Sequence, residues 1–273
     1  MMQAHLNGIT LYYEDHGSGL PLVLTHGIGS SADNWANVLP LLAQNHRVIT
    51  WDVRGFGRSE KPEGPYSAQL WASDLAALLD TLGLKQPCIL GHSMGGVIAQ
   101  RFALDFPEKL SALILVSTSS QVNEKAAAFW FGQADTIERE GFAAWIKRQQ
   151  EGYSEEFLNA HPQQLEYDRR RVEMNDSRAY AAGARAVASY NFTDELRRIN
   201  VPTLIVQGLV DTQTPPGGSV IISRNIPGSQ LVMLDGVGHG VHSEQPEKFV
   251  QLVAEFLRHI ERPLGLTAPT ETH

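Results

Sequence analysis

The sequence predicts an α/β fold: a mostly parallel central sheet flanked by helices, with a helical insertion set into it. Three observations predict this. Short, wholly apolar runs alternate with helix-period stretches up to about residue 118, as strands buried on both faces and their crossover helices require. Short glycine-bearing loops join them. From residue 119 to 196 the strand signal vanishes, and it resumes at Thr203. A chain of 273 residues with 42% hydrophobic and 19% charged content is long and apolar enough for one such domain with its insertion.

Residues 9–13 alternate as a strand, tied by the tight-turn pair Asn7-Gly8 to residues 4–6. After the turn Gly17-Ser18-Gly19 comes the buried strand Leu22-Val23-Leu24-Thr25, which runs straight into His26-Gly27-Ile28-Gly29. A helix is expected over 33–43, with Trp35, Val38, Leu39 and Leu42 at helical spacing. The strand Val48-Ile49-Thr50-Trp51 leads into the turn at 52–59, and an amphipathic helix over 69–82 ends at Gly83. Cys88-Ile89-Leu90 is a strand, residues 97–106 a helix, and Leu113-Ile114-Leu115-Val116 a further strand. Five helices are expected in the insertion, at 124–139, 141–151, 155–160, 163–174 and 178–189; Tyr180, Ala184 and Val187 mark an apolar face of the last. Strands at 203–206 and 231–234 complete the sheet, and a helix after Pro246 closes the domain with Phe249, Val250, Val253, Phe256 and Leu257 inward. The expected organisation is a core of 1–118 and 197–261, a cap or lid of 119–196, and a polar, proline-bearing, disordered tail of 262–273.

Charge and cysteine content narrow the function. With 22 Lys and Arg against 30 Asp and Glu, the net charge is −8, and the sole basic run is at 169–171. That argues against a nucleic-acid partner, since neutralising phosphates needs a broad basic surface. Cys88 is the only cysteine, which excludes an internal disulfide or a cysteine-based metal site. Residues 1–5 lack a signal-like start, and no apolar run approaches the ~20 residues of a membrane span. The expectation is a cytoplasmic protein without cofactor, metal or membrane partner, acting on a small molecule.

The chemistry centres on Gly91-His92-Ser93-Met94-Gly95-Gly96. A strand, a sharp turn carrying a serine between glycines, and a helix make a nucleophile elbow. A serine hydroxyl needs a base in reach and an acid to orient that base, and behind such an elbow the chain order is Ser, acid, His. Asp211 follows the strand at 203–207 and His239 follows the strand at 231–234, 28 residues later. Asp235, at its strand end, and His242 are the weaker competitors; Ser117-Thr118-Ser119-Ser120 offers no acid after the preceding strand. The oxyanion of a tetrahedral intermediate needs two donors: the N–H of Met94, next to the nucleophile, and the N–H of Ile28 in the early glycine loop. The turn 52–59 lacks the Lys-Ser/Thr ending of a phosphate loop, so an Asp52–Arg54 network holding a tight turn is expected. Residues 169–171 read as one solvated helix face, with a minority reading in which one arginine meets a substrate carboxylate. Trp35, Trp130 and Tyr190, with Phe131, are candidate pocket aromatics.

On these motifs the chain resembles the α/β-hydrolase fold family over residues 4–260. The carriers are His26-Gly27-x-Gly29, Asp52-x-Arg54-Gly55-x-Gly57-x-Ser59, the elbow, Gly208-x-x-Asp211 and Gly238-His239-x-x-x-x-Glu244-x-Pro246. Ser93 sets it apart from the haloalkane dehalogenase branch, which has Asp there. Tyr180-Ala181-Ala182, Arg185-Ala186-Val187-Ala188 and Val201-Pro202-Thr203-Leu204 look most like the 3-oxoadipate enol-lactonases and the neighbouring carboxylesterases and cofactor-free haloperoxidases. The resemblance implies hydrolysis of carboxylic esters or lactones by a Ser93–His239–Asp211 triad. The alternatives it leaves are C–C bond hydrolysis of ring-cleavage products and a ligand receptor with little turnover.

Overall fold

In the computed structural model, residues 2–143, 145 and 152–261 are described. The strands are β1 (Met2–Leu6), β2 (Ile9–His16), β3 (Leu20–Thr25), β4 (His46–Trp51), β5 (Cys88–His92), β6 (Ala112–Val116), β7 (Thr203–Gly208) and β8 (Gln230–Leu234). They form one sheet in the order β1-β2-β4-β3-β5-β6-β7-β8. β1 pairs antiparallel with β2 and β2 with β4; every pairing from β4 through β3 to β8 is parallel. The opening hairpin follows from Asn7-Gly8, whose φ angles of 46° and 74° are both left-handed and give a turn matching the strand twist.

Period-two alternation divides the strands between two cores. Val23, Ile89, Leu113 and Leu115 join the core under α2 (Ala68–Thr81) and α3 (Met94–Asp105). Leu22, Leu24, Leu90 and Ile114 join the opposite core, under α1 (Leu39–Leu42) and the closing helix Pro246–Glu261. In α2 the Ser67 hydroxyl accepts the Leu70 N–H at 3.1 Å, and the helix stops at Gly83, whose φ is 66°. The continuous helix expected over 33–43 does not form. A 3-10 turn at Ala32–Trp35 and the single turn α1 replace it. Pro40, at the second position of α1, lacks an N–H and its ring excludes a helical turn before it.

The insertion carries α4 (Glu124–Glu140), α5 (Glu155–Ala160), α6 (Gln164–Glu173) and α7 (Ser177–Val187). α4 and α7 pack together, with Tyr180, Ala184 and Val187 buried on the expected face. The chain enters and leaves the insertion through a short two-stranded neck: Gln121 bridges Asn191, Phe192 N–H donates to Ser120 O at 2.8 Å, and Val122 N–H to Tyr190 O at 3.2 Å. Most of the helix expected over 141–151, and the expected tail 262–273, lie outside the described residues. Among the described residues the remaining α-helices are α8 (Gly217–Asn225), α9 (Val241–Glu244) and α10 (Pro246–Glu261). Among the described residues no helix is long and apolar enough to cross a membrane.

Candidate active site

β5 ends at His92 and α3 begins at Met94, so Ser93 alone makes the turn. Its φ of 55° and ψ of −118° are strained for a residue with a side chain and persist only where the surroundings enforce them. Here Ser93 N–H donates to Val116 O at 3.0 Å and Thr118 Oγ1 donates to Ser93 O at 2.9 Å. The flanking glycines answer a steric demand. A Cβ on Gly91 would run into the backbone of Gly95, and one on Gly95 into the carbonyls of Thr25 and His26.

The carboxyl ends of β7 and β8 deliver the acid and the histidine. His239 Nδ1 lies 2.9 Å from Asp211 Oδ2. A carboxylate only accepts, so Nδ1 carries a proton, and in the neutral ring Nε2 keeps its lone pair. Asp211 is itself held: Oδ1 accepts from the N–H groups of Gln213 (2.9 Å) and Thr214 (2.8 Å), and Oδ2 accepts from Gln207 Nε2 at 3.1 Å. Both residues are buried. The His239 loop is anchored by its N–H to Gly152 O (2.8 Å) and by its carbonyl, which accepts from His92 Nε2 at 3.0 Å. That bond ties it to the residue beside Ser93.

The competitors stand elsewhere. Asp235 is exposed and accepts from the adjacent Gly236 N–H. His242 lies beneath the site, where Asn34 Nδ2 donates to its Nε2 at 3.0 Å and burial pushes its pKa down to about 3. Burial, then the neighbouring His242 and His239, hold His92 well below the usual imidazole range. Both rings are neutral near pH 7 and add no charge beside His239.

Ser93, Ile28 and Met94 share one cavity of about 340 Å³. Trp130 and Tyr190 stand in its wall. Trp35 does not. It is fully buried on the far side of the sheet, 4.7 Å from the His242 ring centroid; helical spacing told that it faces inward, but not which layer it enters. Phe131 is exposed on α4, one position round the helix from Trp130. The sequence also left unmarked the polar wall formed by Ser119, Gln121, Asn123, Gln213 and Thr214. Loop residues carry no periodicity, and the hydroxyl run after β6 is their one trace in the sequence.

Two ionic expectations need correction. Asp52 does hold a tight turn, but with Arg58, at 2.9 Å from Nε, and with the N–H groups of Ala32 and Arg58. Arg54 instead points the other way to the buried Asp74, with Nε–Oδ2 of 2.6 Å and Nη2–Oδ1 of 2.8 Å. The run 169–171 is not one solvated face either. Arg169 and Arg170 pair outside with Glu166, whereas Arg171, about 200° further round the helix than Arg169, is buried against Asp168 at 2.6 Å. None of the three lines the 340 Å³ cavity.

The profile of the α/β hydrolase fold family matches residues 21–246. The chain belongs to that family. Among solved α/β hydrolases, a thermophilic esterase from Thermogutta terrifontis matches it with a TM-score of 0.90 at 31% identity, over 95% of this chain and 99% of the other. The enol-lactonase from Burkholderia xenovorans LB400 matches with a TM-score of 0.90 at 26% identity, over 94% of this chain and 100% of the other. The 2-hydroxy-6-oxo-2,4-heptadienoate hydrolase of Pseudomonas putida is 30% identical over 263 residues, 92% of this chain and 93% of its own.

Proposed function

We propose that this α/β hydrolase cleaves carboxylic esters or lactones through Ser93, His239 and Asp211. The observation that carries the reading is the Asp211–His239 pair at 2.9 Å. It orients His239 on a loop that His92, the residue beside Ser93, holds by its carbonyl, while Ser93 itself is strained into the elbow conformation at a cavity shared with Ile28 and Met94. His239 Nε2 takes the hydroxyl proton while Ser93 Oγ attacks the carbonyl carbon. The oxyanion accepts from the N–H groups of Ile28 and Met94. Collapse breaks the C–O bond, and the departing alkoxide takes the proton from His239; in a lactone it stays tethered to the acyl chain. Water, deprotonated by His239, then attacks the acyl-enzyme and returns Ser93. Throughout, Asp211 holds the tautomer and stabilises the imidazolium.

Replacing Ser93→Ala should lower turnover of p-nitrophenyl butyrate by about 10⁴-fold or more, with the thermal midpoint unchanged. Activity within tenfold of the parent would sink the reading. The Pseudomonas putida relative's name favours one second reading, C–C bond hydrolysis of a vinylogous diketone. Comparing kcat/KM for such a diketone and for the ester, on the same preparation, separates the two.

A further inference from the structure

Resting on the reading of Ile28 N–H as an oxyanion donor, we propose that Asn175 is a positioning residue through which the cap sets the direction of that donor. Asn175 sits between α6 and α7 and is buried. Its Oδ1 accepts the Gly57 N–H at 2.8 Å. That donor fixes which end of the amide is oxygen. Its Nδ2 then donates to Gly29 O at 3.0 Å, and to Val172 O at 3.0 Å within its own segment. One cap side chain therefore grips two loops of the core domain, the glycine loop after β3 and the turn held by Asp52.

The consequence follows from peptide planarity. In a trans peptide the C=O of one residue and the N–H of the next point in opposite directions. Asn175 draws the Gly29 carbonyl toward the cap, so the N–H of Ser30, on the same peptide, points back into the loop. There it donates to Gly27 O at 3.3 Å. Gly27 O also accepts from His26 Nδ1 at 2.7 Å, a proton placed on Nδ1 because Nε2 accepts the Val53 N–H at 3.0 Å. With the Gly27 carbonyl held from these two sides, the N–H of Ile28, on that same peptide, is turned the opposite way. The loop runs beside the nucleophile: a Cβ on Gly27 would lie 3.3 Å from Ser93 Cβ. The cap also walls the loop from outside. Gly29 has φ +73°, and a Cβ there would lie 2.8 Å from both the Trp145 and Tyr180 side chains. The amide of Asn175 is thus the first link of a two-bond relay, through Gly29 O and then Ser30 N–H to Gly27 O, from the cap to the oxyanion donor, and the donor is in place when the cap is seated.

The test compares wild type with Asn175→Ala, normalising each to active sites titrated with a fluorophosphonate. Misdirecting one donor, rather than deleting it, should lower kcat for p-nitrophenyl butyrate by about 10- to 10²-fold, below the 10²–10³ of outright loss, with KM within about threefold. Inhibition by a trifluoromethyl alkyl ketone, whose adduct with Ser93 is an oxyanion, should weaken by a similar factor. The methyl ketone of the same chain, which stays a ground-state carbonyl, should keep its affinity. Equal weakening of both ketones, or a normal kcat per titrated site with only a lowered thermal midpoint, overturns the proposal and leaves Asn175 a structural residue. Should Asn175→Ala not fold, Asn175→Ser gives the same ratios. A wild-type enzyme that the fluorophosphonate does not label at Ser93 would instead overturn the serine-hydrolase reading itself.

Discussion

Asp211 divides its two oxygens between structure and chemistry, which makes its replacement informative. Oδ1 closes the turn by accepting from Gln213 and Thr214, while Oδ2 faces His239 Nδ1 and accepts from Gln207 Nε2 as well. In Asp211→Asn the amide oxygen can keep the turn, which leaves the amide N–H₂ opposite His239. That donor forces Nδ1 to accept and puts the ring proton on Nε2, where it blocks the nucleophile. Turnover of p-nitrophenyl butyrate should fall by on the order of 10³–10⁴, with the thermal midpoint lowered because the new amide N–H₂ also meets the Gln207 Nε2 donor; a loss below tenfold would show that Asp211 does not orient the base. At this scale the candidates proposed as nucleophile, acid and base could be picked out because each follows a strand's carboxyl end in a punctuated loop. Trp35 was not, since an apolar residue at helical spacing can enter either of the two cores flanking the sheet.

Among the elements, the turn at 52–59 is held by two separate ionic contacts rather than by one network. Arg58 serves Asp52 at the turn, and Arg54 ties β4's exit to α2 through Asp74. The Arg54 and Asp74 side chains are 8% and 0% exposed, and Asp74 accepts a further bond from Asn7 Nδ2 at 2.9 Å. Removing one partner of such a buried pair strands the other charge. Arg54→Met should therefore destabilise the fold by about 3–5 kcal/mol in urea titration, and adding Asp74→Leu should recover much of that loss. No recovery in the double variant would mean that the single replacement acts through lost packing. The sequence pointed to a tight turn but paired Asp52 with Arg54 rather than Arg58. The arginines' partners were hidden because two residues two apart on an irregular loop can point in opposite directions.

For the molecule as a whole, three buried imidazoles make stability depend on pH. Burial pushes His26 down to about 4 and His242 to about 3, and holds His92 lower than an ordinary imidazole. In the unfolded chain each titrates near 6.5. Below that pH the unfolded state binds protons that the folded state refuses, so the contribution is complete above about 6.5 and drains away as the pH falls toward 4. Each ring contributes about 1.4 kcal/mol per pH unit, and the three together about 4. The urea midpoint should drop steeply between pH 7 and 5, with a shallower slope in His242→Phe; parallel slopes would remove His242 from the account. The mostly parallel sheet was legible at this scale, since strands buried on both faces read as unbroken apolar runs; its strand order was not. Nor was the break in the 33–43 helix, because Pro40 acts on backbone hydrogen bonding that apolar spacing ignores. The neck at Gln121 and Asn191 has a consequence for descent. Two adjacent crossings make the cap a cassette: chain can be inserted, lost or exchanged between them without altering the sheet's register, and loop closure rises only slowly with length. Lineages can thus diversify what they digest while inheriting the same catalytic floor, provided each new cassette brings its own grip on the glycine loop.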